Sequence, residues 1–313
     1  MGIVWASLAT LGVLLAGALL TGWLEQRLLK MFGGGEFGPA TPLDSRRNPR
    51  PAHADPLTYY GAPVIALFGV VWATVCLPWG PTLVPADVNI GLFYFIVVVD
   101  FVVLAIALGG WGGNTPGSIE ACYRIVAQLA AYVVPLGLAI IGPIMMARSL
   151  STVNIVEAQR HAHLWYIAPQ LPGFALYLVT ALMQVYRAPF LEPFAARIGH
   201  GVLGVCGGWL GLLWRFALAG LPFVVAAMGA VLFLGGYAGP LLPGWLWMLI
   251  KTVVVMALML WLGRRVRLLS TAQMLALAWK VLIPAGLANV LLVGILILLG
   301  VGQGPFPPVG SAP

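Results

Sequence analysis

Charge is what this sequence has least of. Of 313 residues only 8% are charged, 16 Lys and Arg against 9 Asp and Glu, whereas soluble domains carry roughly 25%. That scarcity excludes a water-soluble fold. Cysteine is nearly absent as well. Cys76, Cys122 and Cys206 stand alone in apolar segments, with no CxxC spacing to hold zinc or an iron–sulfur cluster, so they read as core packing. Four histidines, His53, His161, His163 and His200, fall in polar connections without a second ligand at helical spacing and read as solvated loop residues. No phosphate loop, nucleophile elbow, zincin helix or dinucleotide fingerprint is present, so catalysis by this chain alone is not expected. The formal charge of +7 does not point to nucleic acid, because the basic residues are spread over several loops instead of one face.

What the chain has instead is long apolar runs. A helix crosses the hydrocarbon with about 20 apolar residues. Such runs fall at 3–24, 61–79, 90–111, 125–147, 164–186, 210–235, 245–262 and 277–299. They predict an all-α integral membrane protein of about eight spans, forming one membrane domain over residues 1–301 with a Pro/Gly-rich tail at 302–313. The first run has no basic residue before it but is followed by Glu25, Arg27 and Lys30. That order is opposite to a cleavable signal peptide and reads as a retained first helix. A polar segment from Glu25 to Pro56, rich in glycine, proline and arginine, is the longest connection. With both termini outside, the inner loops hold Arg27, Lys30, Arg46, Arg47, Arg50, Arg124, Arg187, Arg197, Arg264, Arg265 and Arg267, and the outer loops only Arg148 and Arg160. This is a strong positive-inside asymmetry.

Glycine recurs at small-xxx-small spacing, for example Gly204, Gly207, Gly208 and Gly211, which suits close helix packing in lipid. Ionisable groups inside spans are costly and mark pathways or pairs. Asp100, Arg215, Lys251 and Lys280, with Glu120 and Arg124 at the start of the fourth span, are therefore the ion-path candidates. Asp100 is the mid-span one. Lys251 and Lys280 sit close enough to helix ends to snorkel.

Several stretches together resemble the NADH dehydrogenase subunit 1 family, the H subunits of NADH-quinone oxidoreductase, which form the heel of the complex I membrane arm. Relatives of that family occur in energy-converting hydrogenases and formate hydrogenlyases. The stretches include Ala54-Asp55-Pro56-Leu57-Thr58-Tyr59-Tyr60-Gly61-Ala62-Pro63, Pro78-Trp79-Gly80-Pro81, Ala86-Asp87-Val88-Asn89-Ile90-Gly91-Leu92 and Tyr132-Val133-Val134-Pro135-Leu136-Gly137-Leu138. Tyr186-Arg187-Ala188-Pro189-Phe190 and Trp279-Lys280-Val281-Leu282-Ile283-Pro284 extend the series, which covers about residues 54–290. The resemblance implies eight core spans with an outside N-terminus in a bacterial inner membrane. It also implies a hydrophilic redox module docked on cytoplasmic loops, antiporter-like membrane neighbours, a quinone tunnel and a chain of buried carboxylates. Glu25, Arg27, Arg46, Arg47, Arg50, Arg187, Glu192 and Arg197 are the interface candidates for quinone and the redox module. No cofactor is expected to be bound by this chain alone.

The departures are as informative. Where the family writes Ser-Tyr-Glu-Val, this chain has Ala131-Tyr132-Val133-Val134. Around Arg187-Ala188-Pro189-Phe190 three acids are lost, leaving Glu192. Two more acidic positions fall at about Leu210 and Phe223, and a family lysine aligns with Arg215. Valine, leucine and phenylalanine cannot exchange protons. The segment after Glu25-Gln26-Arg27 is also about ten residues shorter than the family's. The expectation is a coupling and anchoring subunit with its quinone gate and carboxylate chain partly lost. A non-pumping scaffold is the alternative, and an independent transporter is a third, though the halves show no internal repeat of the kind transporters carry.

Overall fold

The computed structural model of the chain describes residues 2–32, 53–81, 83–191 and 208–301. Among these residues all regular structure is helical, without strands. The order is α1 (Gly2–Phe32), α2 (Pro56–Ala73), α3 (Gly91–Gly113), α4 (Pro116–Ala147), α5 (Thr152–His161), α6 (Leu171–Gln184), α7 (Gly208–Leu234), α8 (Gly244–Arg265), α9 (Thr271–Leu277) and α10 (Ile283–Leu298). A 3-10 turn, Thr74–Cys76, extends α2, and a π-helical turn, Ala278–Leu282, joins α9 to α10 as one span.

Local sequence sets the helix starts. Asp55 accepts from Thr58 N at 3.1 Å with Pro56 at the first helical position, so the Asp-Pro-Leu-Thr stretch caps α2. Thr115 and Ser118 form a capping box at the head of α4, again with proline next. At the end of α7, Gly235 and Gly236 take φ of +69° and +45°, and Gly236 N–H reaches back to Ala230 O at 3.0 Å. Glycine enters this left-handed turn without steric cost.

Among the described residues seven helices are long and apolar enough to cross a membrane, and the fifth segment of the eight read from sequence is shorter: α6 has 14 residues. Its turns on either side, including buried Tyr166 and Gln170 before it and buried Val185 and Tyr186 after it, complete that segment without regular helix. The sequence pattern counts apolar residues and cannot see where the backbone leaves the helix. His161 ends a ten-residue helix, α5, instead of lying in an irregular loop. The tail 302–313, the cluster Arg46, Arg47 and Arg50, and Glu192, Arg197, His200 and Cys206 lie outside the described residues.

Burial orders the bundle. The α7 span is 89% buried and forms the centre, packed by α1, α2 and α8, whereas the α9–α10 span is 22% buried and lies at the edge against α4 and α6. In lipid every backbone polar group must be satisfied inside the protein, and side-chain amides and cations here finish helix ends. Gln128 on α4 donates to Met183 O at 2.6 Å and Phe190 O at 3.3 Å. Gln159 donates to Val231 O at 2.9 Å and Leu232 O at 3.3 Å while its oxygen accepts from Tyr166 N at 3.1 Å.

Candidate functional site

The ends of α1, α3, α6 and α8 and the starts of α2, α4, α7 and α9 lie at one end of the bundle, which carries Arg187, Arg264, Arg265 and Arg267. At this arginine-rich end the short α6 stops, and the residues that follow it bring two groups together. The first centres on Asp100, half-buried on α3. The Tyr132 hydroxyl on α4 donates to Asp100 Oδ1 at 3.3 Å, and the Gln184 side chain, at the last position of α6, hydrogen-bonds the same carboxylate. Tyr132, Gln184 and the neighbouring Tyr186 are all enclosed. Gln128 and Tyr132 lie four apart on α4, hence on the same face. On its other side Asp100 lines a cavity of about 320 Å³ between α3 and α4, otherwise walled by apolar residues including Val97, Phe101, Leu104, Ile125 and Val126. Val97, Phe101, Leu104 and Val126 are exposed, so this cavity opens on the flank of the bundle.

The second group is an ion pair. Arg187 is 3% exposed, and its Nε donates to Glu25 Oε1 on α1 at 2.5 Å. Its Nη1 donates to Val185 O at 3.3 Å and its Nη2 to Leu218 O at 3.0 Å. The last bond has a sequence cause. Pro222 in α7 has no N–H to give to the carbonyl four residues before it, and Arg187 supplies the donor. Arg264 on α8 is within electrostatic reach of Glu25, so two guanidinium groups face one carboxylate.

The remaining candidates are dispersed. Glu120 and Arg124 form an i,i+4 pair at 2.5 Å near the head of α4, with Glu120 exposed. Both line a groove of about 400 Å³ with Tyr123, Ser270 and Thr271. Arg215 is half-buried on α7, and Arg27 is exposed on α1 with its guanidinium 5.2 Å from the Trp23 ring centre.

Lys251 is 5% exposed at the opposite end of the bundle. Its ammonium donates to Gly236 O at 2.9 Å and Ala238 O at 2.6 Å and lies 4.6 Å from the Trp165 ring centre and 5.5 Å from that of Trp247. There it ties the turn after α7 to α8. Near it Tyr237 donates to Glu157 Oε1 at 2.6 Å, and burial together with the Glu157 carboxylate pushes the tyrosine's pKa up. Lys280 is exposed on the edge span. Among the described residues no group of three His, Cys, Asp or Glu side chains is gathered to hold a metal.

Sequence reasoning singled out Asp100 and Arg187 but passed over Tyr132, Gln184, Tyr186 and Gln128, which surround them. The available signal was polar residues four apart inside an apolar span, as at 128 and 132.

Fold and site define a class: a polytopic α-helical membrane protein whose buried cations Arg187 and Lys251 are paired or hydrogen-bonded. The chain belongs to the NADH dehydrogenase family, whose sequence model matches residues 43–294. It is 34% identical over 312 residues to the second of the NADH-quinone oxidoreductase H subunits of Syntrophobacter fumaroxidans, covering 92% of this chain and 93% of that one. It is 32% identical over 292 residues to the first such H subunit of Rhodopseudomonas palustris strain HaA2, covering 88% and 90%. The NADH-quinone oxidoreductase H subunit of Dehalococcoides mccartyi strain CBDB1 is 31% identical over 303 residues, covering 92% and 85%.

Proposed function

We propose that this chain is the coupling and anchoring subunit of a complex-I-like, redox-driven ion-translocating assembly of a bacterial inner membrane, with both termini outside. Its arginine-rich end receives the hydrophilic redox subunits. Glu25 and Arg27 belong to that contact, with the enclosed Arg187 holding Glu25 from within, together with Arg46, Arg47, Arg50, Glu192 and Arg197 in the adjoining stretches of sequence. The usual quinone gate and the chain of buried carboxylates are partly lost in this subunit. The chain itself carries out no redox step.

The observation that carries the reading is Asp100. The expected glutamate on α4 is Val133, and the fully enclosed Phe223, stacked on Trp79 at 5.8 Å, occupies another expected acid position. Asp100 on α3 meets Tyr132, the residue beside Val133, and so brings a carboxylate back to the same neighbourhood from a different helix. Carboxylate, hydroxyl and amide within hydrogen-bond reach form a unit that can accept and pass a proton. The cavity between α3 and α4 gives Asp100 a second, lateral side toward a neighbouring antiporter-like subunit. Redox-driven ion uptake into vesicles holding the whole complex tests this: Asp100→Asn abolishes uptake while electron transfer continues, and undiminished uptake removes Asp100 from the path.

A second reading, a non-pumping scaffold, is favoured by the apolar filling at Leu210, Phe223 and Val133. It expects assembly and turnover without charge transfer in the unmodified complex.

A further inference from the structure

Lys280 is the ionisable side chain the bundle leaves unexplained. It lies in the span Thr271–Leu298, which is 28 residues long and 22% buried, whereas the α2, α3, α4 and α8 spans are 44–50% buried. Lys280 is exposed, as are Trp279 at 61%, Val281 at 52% and Leu287 at 52%. It sits within the π-helical turn Ala278–Leu282. Four residues later comes Pro284, which has no N–H to return to the Lys280 carbonyl. Turns of this kind widen a helix locally and occur often at functional positions.

Depth sharpens the problem. Helix α8 has 22 residues, about 33 Å, which matches the hydrocarbon thickness. Its end at Arg264 and Arg265 therefore marks the interface, and the next span starts at Thr271 and, at 28 residues or about 42 Å, is longer than that layer. Nine residues further on, Lys280 is about 14 Å along the helix axis. Its stem can lean back toward the helix start by roughly 6 Å. Lys280 faces outward among exposed apolar side chains, and no carboxylate among the described residues is bonded to it. A bare cation there is costly, whereas a carboxylate on a neighbouring helix at the same depth neutralises it.

We propose that the exposed face of the α9–α10 span around Trp279, Lys280 and Leu287 is a docking surface for a transmembrane helix of another subunit, which carries an Asp or Glu side chain facing Lys280. Charge complementarity selects this occupant over lipid tails, which offer the ammonium nothing. The π turn presents the lysine sideways to the partner. The inference rests on the chain being a subunit of a membrane assembly and is independent of any role for Asp100.

The test is zero-length coupling in the whole complex in native membranes. A membrane-permeant carbodiimide joins an amine to a contacting carboxylate as an amide and itself leaves as the urea. The expected product is a peptide linking Lys280 to an acid in a transmembrane helix of a different subunit. Lys280→Arg, which keeps the charge but cannot be coupled, loses that product and still assembles, while Lys280→Glu loses the partner subunit on purification. A link to an acid of this same chain overturns the proposal. So does the absence of any link together with normal assembly of Lys280→Glu. Purification without any other membrane subunit would instead overturn the assembly reading beneath it.

Discussion

Arg187 and Glu25 form the most demanding contact in the bundle, and their removal should show it. Arg187→Met deletes the ion pair at 2.5 Å and the donors to Val185 O and Leu218 O. Breaking a buried pair costs about 3–5 kcal/mol because the partner charge stays behind. Glu25 keeps 18% side-chain exposure, so water recovers part of its solvation and the lower end of that range, about 3 kcal/mol, applies. Glu25→Gln retains an acceptor and costs about 1.5–3 kcal/mol. The double variant leaves neither charge and should be more stable than the sum of the singles predicts by at least about 1 kcal/mol.

The proline adds a second check. Pro222→Ala returns an N–H to Leu218 O, and in the Arg187→Met background it should recover about 1 kcal/mol. Denaturation by SDS titration in mixed micelles, followed by tryptophan fluorescence, measures all four variants. Strict additivity of the first two, or further loss on adding Pro222→Ala, would refute the reasoning.

Gln159→Leu should cost about 2 kcal/mol, since it leaves Val231 O, Leu232 O and Tyr166 N without their amide partner. Hydrogen exchange should rise at the end of α7 and in the turn before α6 and stay unchanged at the arginine-rich end. Lys251→Met should destabilise the turn after α7 by a similar amount, about 2 kcal/mol, and alter the emission of Trp165 and Trp247, with limited proteolysis near Gly239 as the readout. Tyr237 has its pKa raised by burial and Glu157, so the folded state holds this proton more tightly than the unfolded one. Its contribution is fully present below the unfolded value of about 10 and is lost as pH rises beyond it. Thermal stability between pH 8 and 11 should therefore fall less in Tyr237→Phe than in the parent chain.

Much of the fold can be read from the sequence because lipid enforces a simple rule: a span needs a run of apolar residues, and such runs are visible one by one. The helix starts at Asp55 and Thr115 follow equally local chemistry. What a single sequence hides is pairing between distant residues. Nothing near Asp100 announces that Tyr132 and Gln184 converge on it, and Arg187 could not be matched to Glu25 or to the carbonyl exposed by Pro222 without the packing of α1 and α7. The same limit explains the dispersal of the ion-path candidates. Glu120 and Arg124 neutralise one another near a surface groove, Lys251 secures a turn, and Lys280 points out of the bundle, distinctions of direction that residue type and spacing do not encode. The shortening of α6 escapes for a related reason, since Tyr166 and Tyr186 are buried like helix residues although the backbone has already turned.

The central claim is that a carboxylate on α3 has taken the place of one lost from α4. Ion uptake by vesicles containing the whole complex, compared among the parent chain, Asp100→Asn, and Asp100→Asn combined with Val133→Glu, addresses it directly. The predicted result is loss of uptake in the single variant and recovery in the double, with electron transfer continuing in both. Full uptake in the single variant, or a double variant as inactive as the single, would contradict it.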